Sequence, residues 1–172
     1  MNRPAPIDEE IILDPKKYIV SSTDTKGLIT DVNDYFIEIS GYSRDELIGK
    51  SHNIIRHPDM PKIVFKLMWE RLKRGRNILA LVKNLAKDGR FYWIFTTFEP
   101  VEDVNHKLIG YRAHRKLASK HTIEIVADIY KKVLEVENKD GVDASEKFLN
   151  EYLQEKGEEI TFVNLMDEIY KF

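Results

Sequence analysis

Ser51-His52-Asn53-Ile54-Ile55-Arg56-His57-Pro58-Asp59-Met60-Pro61 sets two histidines, an arginine, an asparagine and a carboxylate within eleven residues, punctuated by two prolines. Each proline disfavours helix in the residue before it and removes a backbone donor. The stretch therefore predicts an irregular turn that displays its polar groups. From Pro61 onward Ile63, Val64, Leu67, Met68 and Leu72 recur at helical spacing. Pro61 suits the first turn of that helix and Gly75 its end. A polar turn leading into an amphipathic helix can line a pocket and hold a polar ligand.

Upstream, Tyr18 to Thr23 is β-branched and apolar, and Asp24-Thr25-Lys26-Gly27 is a turn signal before Leu28-Ile29-Thr30-Asp31-Val32. Together they read as a β-hairpin. A short helix is expected from Asp34 to Ile39, closed by Gly41. Ser43-Arg44-Asp45-Glu46 matches a capping box, so a second short helix starts there and stops near Gly49. Downstream, three strands are expected at Ile78 to Leu85, Arg90 to Val101 and Lys107 to Leu117. Turns at Lys87-Asp88-Gly89 and Asp103-Val104-Asn105-His106 separate them. The stretch Phe91 to Phe98 is apolar on both faces, whereas a half-solvated strand alternates. One face is expected to line a pocket and the other to be covered by helices or a partner.

After about Ser119 the pattern becomes helical. Ile123, Val126, Ile129, Tyr130, Val133 and Leu134 form one stripe, and Lys139-Asp140-Gly141 breaks it. Asp143 to Glu155 and Phe162 to Tyr170 offer two more helices, too short to be stable unpacked. The tail is expected to pack on its own domain, with dimerisation through the Val126-Tyr130-Val133 stripe as an added use. The chain thus divides into an extension at 1–17, a domain at 18–118 and a helical extension at 119–172.

The 172 residues are 42% hydrophobic with a net charge of −2. That composition builds a core and argues against nucleic-acid binding, since no basic stripe is present. No run reaches membrane-spanning length and the first ten residues lack a signal-peptide core, so a soluble, cytoplasmic protein is expected. No cysteine is present, which excludes disulfides, thiolate metal sites and cysteine nucleophiles. Any redox role must belong to a bound cofactor. No glycine-rich phosphate loop, nucleophile elbow or kinase signature occurs, so the chain does not read as an enzyme. The acidic runs Asp8-Glu9-Glu10 and Glu158-Glu159 read as solvated faces.

The chain resembles a PAS domain, specifically the flavin-binding kind at the front of bacterial aerotaxis receptors and the small stand-alone PAS proteins of energy taxis. The resemblance runs from Tyr18 to Leu117. It rests on Asp31-Val32-Asn33-Asp34-Tyr35-Phe36 with Ser40-Gly41-Tyr42, and on Pro58-Asp59-Met60-Pro61 preceded by His52-Asn53 and Arg56-His57. Met68-Trp69, Val82-Lys83-Asn84, Lys87-Asp88-Gly89 and Tyr92-Trp93 complete it. It implies an α+β fold with a five-stranded antiparallel sheet and short helices on one face, plus the C-terminal helical extension. It also implies flavin adenine dinucleotide (FAD) held without a covalent bond between sheet and helices. In the family the matches to Asn33, Arg56, His57, Asp59, Phe65, Trp69 and Asn84 are implicated in the flavin pocket. His52, Asn53 and Trp93 stand in the same motifs and join the candidates. The chain departs from the pattern at Ile78, where flavin-binding relatives often carry tryptophan, and at Ala80, where glycine is frequent.

Simpler roles stand beside these. Asp59 could cap the following helix, His52 could pin the loop, Asn33 could hold a local turn, and either tryptophan could be core. His52 and His57 are also the only candidates for a haem ligand, while His106, His114 and His121 read as surface. No output module is recognisable, so a signal is expected to pass to another protein. A chemoreceptor or its signalling partner is the one implied by the family. The alternatives to an FAD sensor are a cofactor-free interaction module and a haem-based sensor.

Overall fold

The turn at Asp24–Gly27 joins β1 (Ile19–Asp24) to β2 (Ile29–Val32), with Gly27 at φ 81° where a side chain is disfavoured. A computed structural model describes residues 3–156 and 160–171, so the Glu158-Glu159 pair lies outside the described residues. Helix α1 (Asp34–Ser40) begins on Asn33, whose Oδ1 accepts the Phe36 N–H, and ends on left-handed Gly41. Helix α2 (Arg44–Leu47) carries the expected Ser43–Glu46 capping box. A single 3-10 turn, His52–Ile55, occupies the first half of the polar stretch, and α3 (Lys62–Leu72) follows it. The meander is β3 (Ile78–Leu85), β4 (Phe91–Glu102) and β5 (Leu108–Leu117). The tail folds as α4 (Lys120–Asp140), α5 (Val142–Lys156) and α6 (Phe162–Ile169).

All strand pairs are antiparallel in the order β2-β1-β5-β4-β3. Side chains alternate between faces, so Ser21, Asn84, Thr96, Ala113 and Arg115 share the inner face with α1, α2 and α3. Trp93 and Phe95 point to the other side, where Tyr170 meets Phe95 edge-on at 5.0 Å. This is why β4 is apolar on both faces. Phe36 and Leu47 are fully buried, each contributing about 1.5–3 kcal/mol, and that burial holds helices too short to form alone.

Strand β3 is a sheet edge, yet its outward backbone groups are occupied. Leu81 N–H meets Met166 Sδ at 3.4 Å and Leu81 C=O accepts from the Tyr130 hydroxyl at 2.8 Å. Lys83 N–H meets Met60 Sδ at 3.2 Å, and Lys83 C=O accepts from His57 N–H at 3.4 Å. The tail and the polar turn thus cover one half of the edge each, which blocks strand addition there. The tail stripe is spent in the same packing: Val126, Tyr130 and Val133 are buried within the chain.

Candidate functional site

A cavity of about 190 Å³ lies between the inner sheet face, the 3-10 turn and α3. Helix α3 supplies Phe65, Met68, Trp69 and Leu72, spaced to share one face. Trp69 packs edge-on against Tyr111 at 5.1 Å and lies over Gly27, where a Cβ would stand 3.3 Å from its ring. The glycine turn of the first hairpin therefore makes room for the indole that walls the cavity. Exposed Lys26 and Arg112 rim the opening.

The polar wall is built around Arg115. Its Nη1 donates to Ser21 Oγ and its Nη2 to His52 Nε2, both at 2.9 Å. Ser21 Oγ also lies 2.9 Å from His52 Nε2. Arginine only donates, so Nε2 presents its lone pair and the ring proton sits on Nδ1. Burial, then the Arg115 charge, press the His52 pKa down to about 3, so this imidazole is neutral at physiological pH. Burial also lowers Arg115 and Arg56 to about 10; both remain charged. Arg56 stacks its guanidinium 3.6 Å over the Phe65 ring. Among the described residues neither arginine forms a salt bridge with a carboxylate.

Of the sequence candidates, the fold brings His52, Asn53, Arg56, Phe65, Trp69 and Asn84 together at the cavity. Asn33 stands apart as a staple: Oδ1 accepts from Val20 N–H and Phe36 N–H, and Nδ2 donates to Tyr18 C=O. His57 is buried beside Phe91, with Nδ1 accepting the Asp59 N–H at 3.1 Å. Asp59 is exposed and pairs with Lys83 at 2.7 Å. It does not cap α3; Glu137, from α4, does so. Trp93 occupies the opposite sheet face. Ser21, Thr96, Tyr111 and Arg115 line the cavity and escaped the sequence reading. The strand alternation could have found Arg115, a charge on the buried face that Tyr111 and Ala113 share.

Two features fit a planar ring edged with hydrogen-bonding oxygen and nitrogen atoms. Thr23 Oγ1 and Thr96 Oγ1 are buried at the cavity without a protein hydrogen-bond partner, and Arg115 supplies charge without a counterion. Phe65, Trp69 and Tyr111 offer the apolar and aromatic surface such a ring needs. The fit to a flavin is good. Haem fits worse: His52 Nε2 is committed to Arg115 and Ser21, and His57 faces away, so neither imidazole is available as an axial ligand.

The fold and this helix-covered cavity define a PAS domain. The PAS fold family model matches residues 29–114, and the chain belongs to that family. It is of the aerotaxis-receptor type: 113 residues are 41% identical to the aerotaxis receptor of Escherichia coli, covering 66% of this chain and 22% of the receptor. The biofilm dispersion protein BdlA of Pseudomonas aeruginosa is 34% identical over 87 residues, covering 50% of this chain and 21% of that protein. The chain thus spans about a fifth of the length of these relatives. Among solved structures, the PAS domain of a Colwellia psychrerythraea protein superposes with a TM-score of 0.51 at 23% identity, covering 60% of this chain and 87% of that one. The light state of the blue-light photoreceptor Aureochrome1 LOV gives 0.56 at 17% identity, covering 66% and 90%.

Proposed function

We propose that this chain is a cytoplasmic redox sensor that binds FAD non-covalently in the cavity and reports the state of the flavin to a separate signalling protein. The observation that carries this reading is the aromatic-walled cavity with one buried guanidinium, Arg115, and one half-buried, Arg56, neither of them salt-bridged to a carboxylate among the described residues. FAD, when bound, supplies the redox chemistry; the protein supplies position and electrostatics. Phe65 and Trp69 present apolar faces, Asn84 and Thr96 offer hydrogen bonds to ring heteroatoms, and Arg56 and Arg115 favour electron-rich atoms. Lys26 and Arg112 at the rim suit the diphosphate of a dinucleotide. With no cysteine in the chain, no thiol adduct of the ring can form.

The route outward begins at α3. This helix carries Phe65 and Trp69 on its cavity face, and its N-terminus is held by Glu137 of the tail. Lys66 on the same helix pairs with Asp143 and Glu146 of α5 at 3.2 and 2.6 Å. A ligand that favours one placement of α3 biases the tail to the extent that its affinity differs between the two placements. The resemblance to the aerotaxis receptor makes a chemoreceptor, or a protein that works with one, the partner of choice. The test is an absorption spectrum of the purified chain after incubation with FAD and gel filtration. Bands near roughly 370 and 450 nm are expected for a flavin; a colourless protein contradicts the proposal, and one intense band near roughly 400 nm would replace flavin by haem.

A further inference from the structure

Arg115 is 2% exposed in mid-sheet, directly cross-strand from Thr96 on the cavity wall. A charge buried there is costly unless it is paired, yet its hydrogen-bond partners, Ser21, His52 and more distantly the Ala113 carbonyl, are all neutral. Tyr92, the other titratable group that acts on it, is pushed up to about 12 by burial and is neutral too. Arg56 differs, because the carboxylate of Glu137 acts on it. The inner face therefore holds one full positive charge, fixed in direction by two 2.9 Å hydrogen bonds, that nothing in the described protein cancels.

We propose that Arg115 sets which redox form of the bound ring the cavity prefers. The inference rests on the flavin reading above. An oxidised isoalloxazine is neutral. Two electrons and one proton, taken from an inorganic reductant such as dithionite and from solvent, turn it into a monoanion. The buried guanidinium stabilises that added charge and does little for the neutral form. Ser21 and His52 act as positioning residues, holding the guanidinium at the cavity while adding no charge that would offset it.

The test compares reduction potentials and FAD affinities of the full chain and its variants. Arg115→Gln is expected to keep oxidised FAD within about threefold and to bind the reduced form about tenfold more weakly, a fall of about 30 mV on a two-electron couple. Arg115→Lys keeps the charge and is expected to stay near the wild-type potential. Ser21→Asp leaves the guanidinium but gives it a counterion, and is expected to lower the potential in the same direction, which tests the idea even if Arg115→Gln does not fold. A wild-type chain that takes up no flavin overturns both the flavin reading and this inference. A flavin-loaded chain whose potential is unmoved by Arg115→Gln or Ser21→Asp overturns the inference alone.

Discussion

Glu137 caps a helix that begins at Lys62, 75 residues earlier in the chain. Its Oε1 accepts the Lys62 N–H at 2.9 Å and its Oε2 accepts the Ile63 N–H at 3.1 Å. Pro61, at the cap position itself, offers no side-chain acceptor. The first N–H groups of a helix need partners, and a carboxylate also opposes the positive end of the helix dipole. The sensor helix is thus completed by a residue of the tail, with Ser145 Oγ of α5 3.4 Å from the same carboxylate.

Replacing Glu137 should therefore act on two properties at once. Glu137→Ala is expected to cost about 2 kcal/mol, the upper end for a lost cap because this one is buried, read as a lower urea midpoint. FAD is expected to protect the wild-type tail against limited proteolysis, and Glu137→Ala should abolish that protection. Equal protection in wild type and variant would show that the tail is not coupled to the cavity.

Arg56 and Asp59 lie three residues apart in one motif, yet only Arg56 reaches the cavity. Arg56→Ala is expected to lower FAD affinity about tenfold or more, in line with a lost charge-assisted contact. Asp59→Ala removes an exposed carboxylate from its pair with the largely covered Lys83 and should cost about 1 kcal/mol, since solvent screens the Asp59 side, leaving FAD affinity unchanged. Fluorescence titration with FAD separates the two. A large loss in Asp59→Ala would give the carboxylate a ligand role despite its position.

Gly27→Ala should disturb the cavity without touching a polar group. The backbone at φ 81° disfavours a side chain, and the new Cβ would sit 3.3 Å from the Trp69 ring. A cost of about 1–2 kcal/mol is expected from the left-handed backbone, together with a shift in tryptophan emission as the indole moves. Unchanged emission would mean that Trp69 is not seated on Gly27.

Acid should weaken the fold earlier than carboxylates alone would make it. Burial is the largest cause holding His52 to about 3 and His57 to about 4, and both charges would enter places with nearby cations, Arg115 and Lys83. Each folded pKa lies below the unfolded value of 6.5. The unfolded chain therefore takes up protons first, and stability that is full above about pH 6.5 falls as the pH drops towards the folded values. Glu46, held to about 2 chiefly by Lys87, contributes only at lower pH. Urea midpoints between about pH 6.5 and 5 isolate the imidazoles, a window set by their ordinary pKa. The double variant His52→Gln, His57→Gln should flatten the dependence there, and an unchanged slope would contradict the assigned burial.

The fold was largely legible in the sequence because each element carried its own punctuation. The Asn33 and Ser43 caps, Gly41 and the Lys87-Asp88-Gly89 turn fix their neighbours by local chemistry, and the strand ends fall within a residue or two of expectation. The site was legible only in part. Met68 and Leu72 announced themselves by helical spacing, while Phe65, Trp69 and Arg56 came from the family resemblance. Arg115, Ser21 and Thr96 come together only through strand pairing across β1, β5 and β4, which no local pattern reveals. Glu137 was hidden for another reason: acidic residues read as surface, although 126, 130, 133 and 137 continue one buried stripe. His57, Asp59 and Trp93 sit in matched motifs, but the two prolines and the strand alternation turn their side chains away from the cavity.

The flavin content of the purified chain tests the central claim most directly. After incubation with FAD and gel filtration, the account predicts one flavin per chain, with absorption near roughly 450 nm and full release of free FAD on denaturation in urea. A chain that emerges without flavin, or that keeps it through denaturation, contradicts a reversible FAD site between α3 and the sheet.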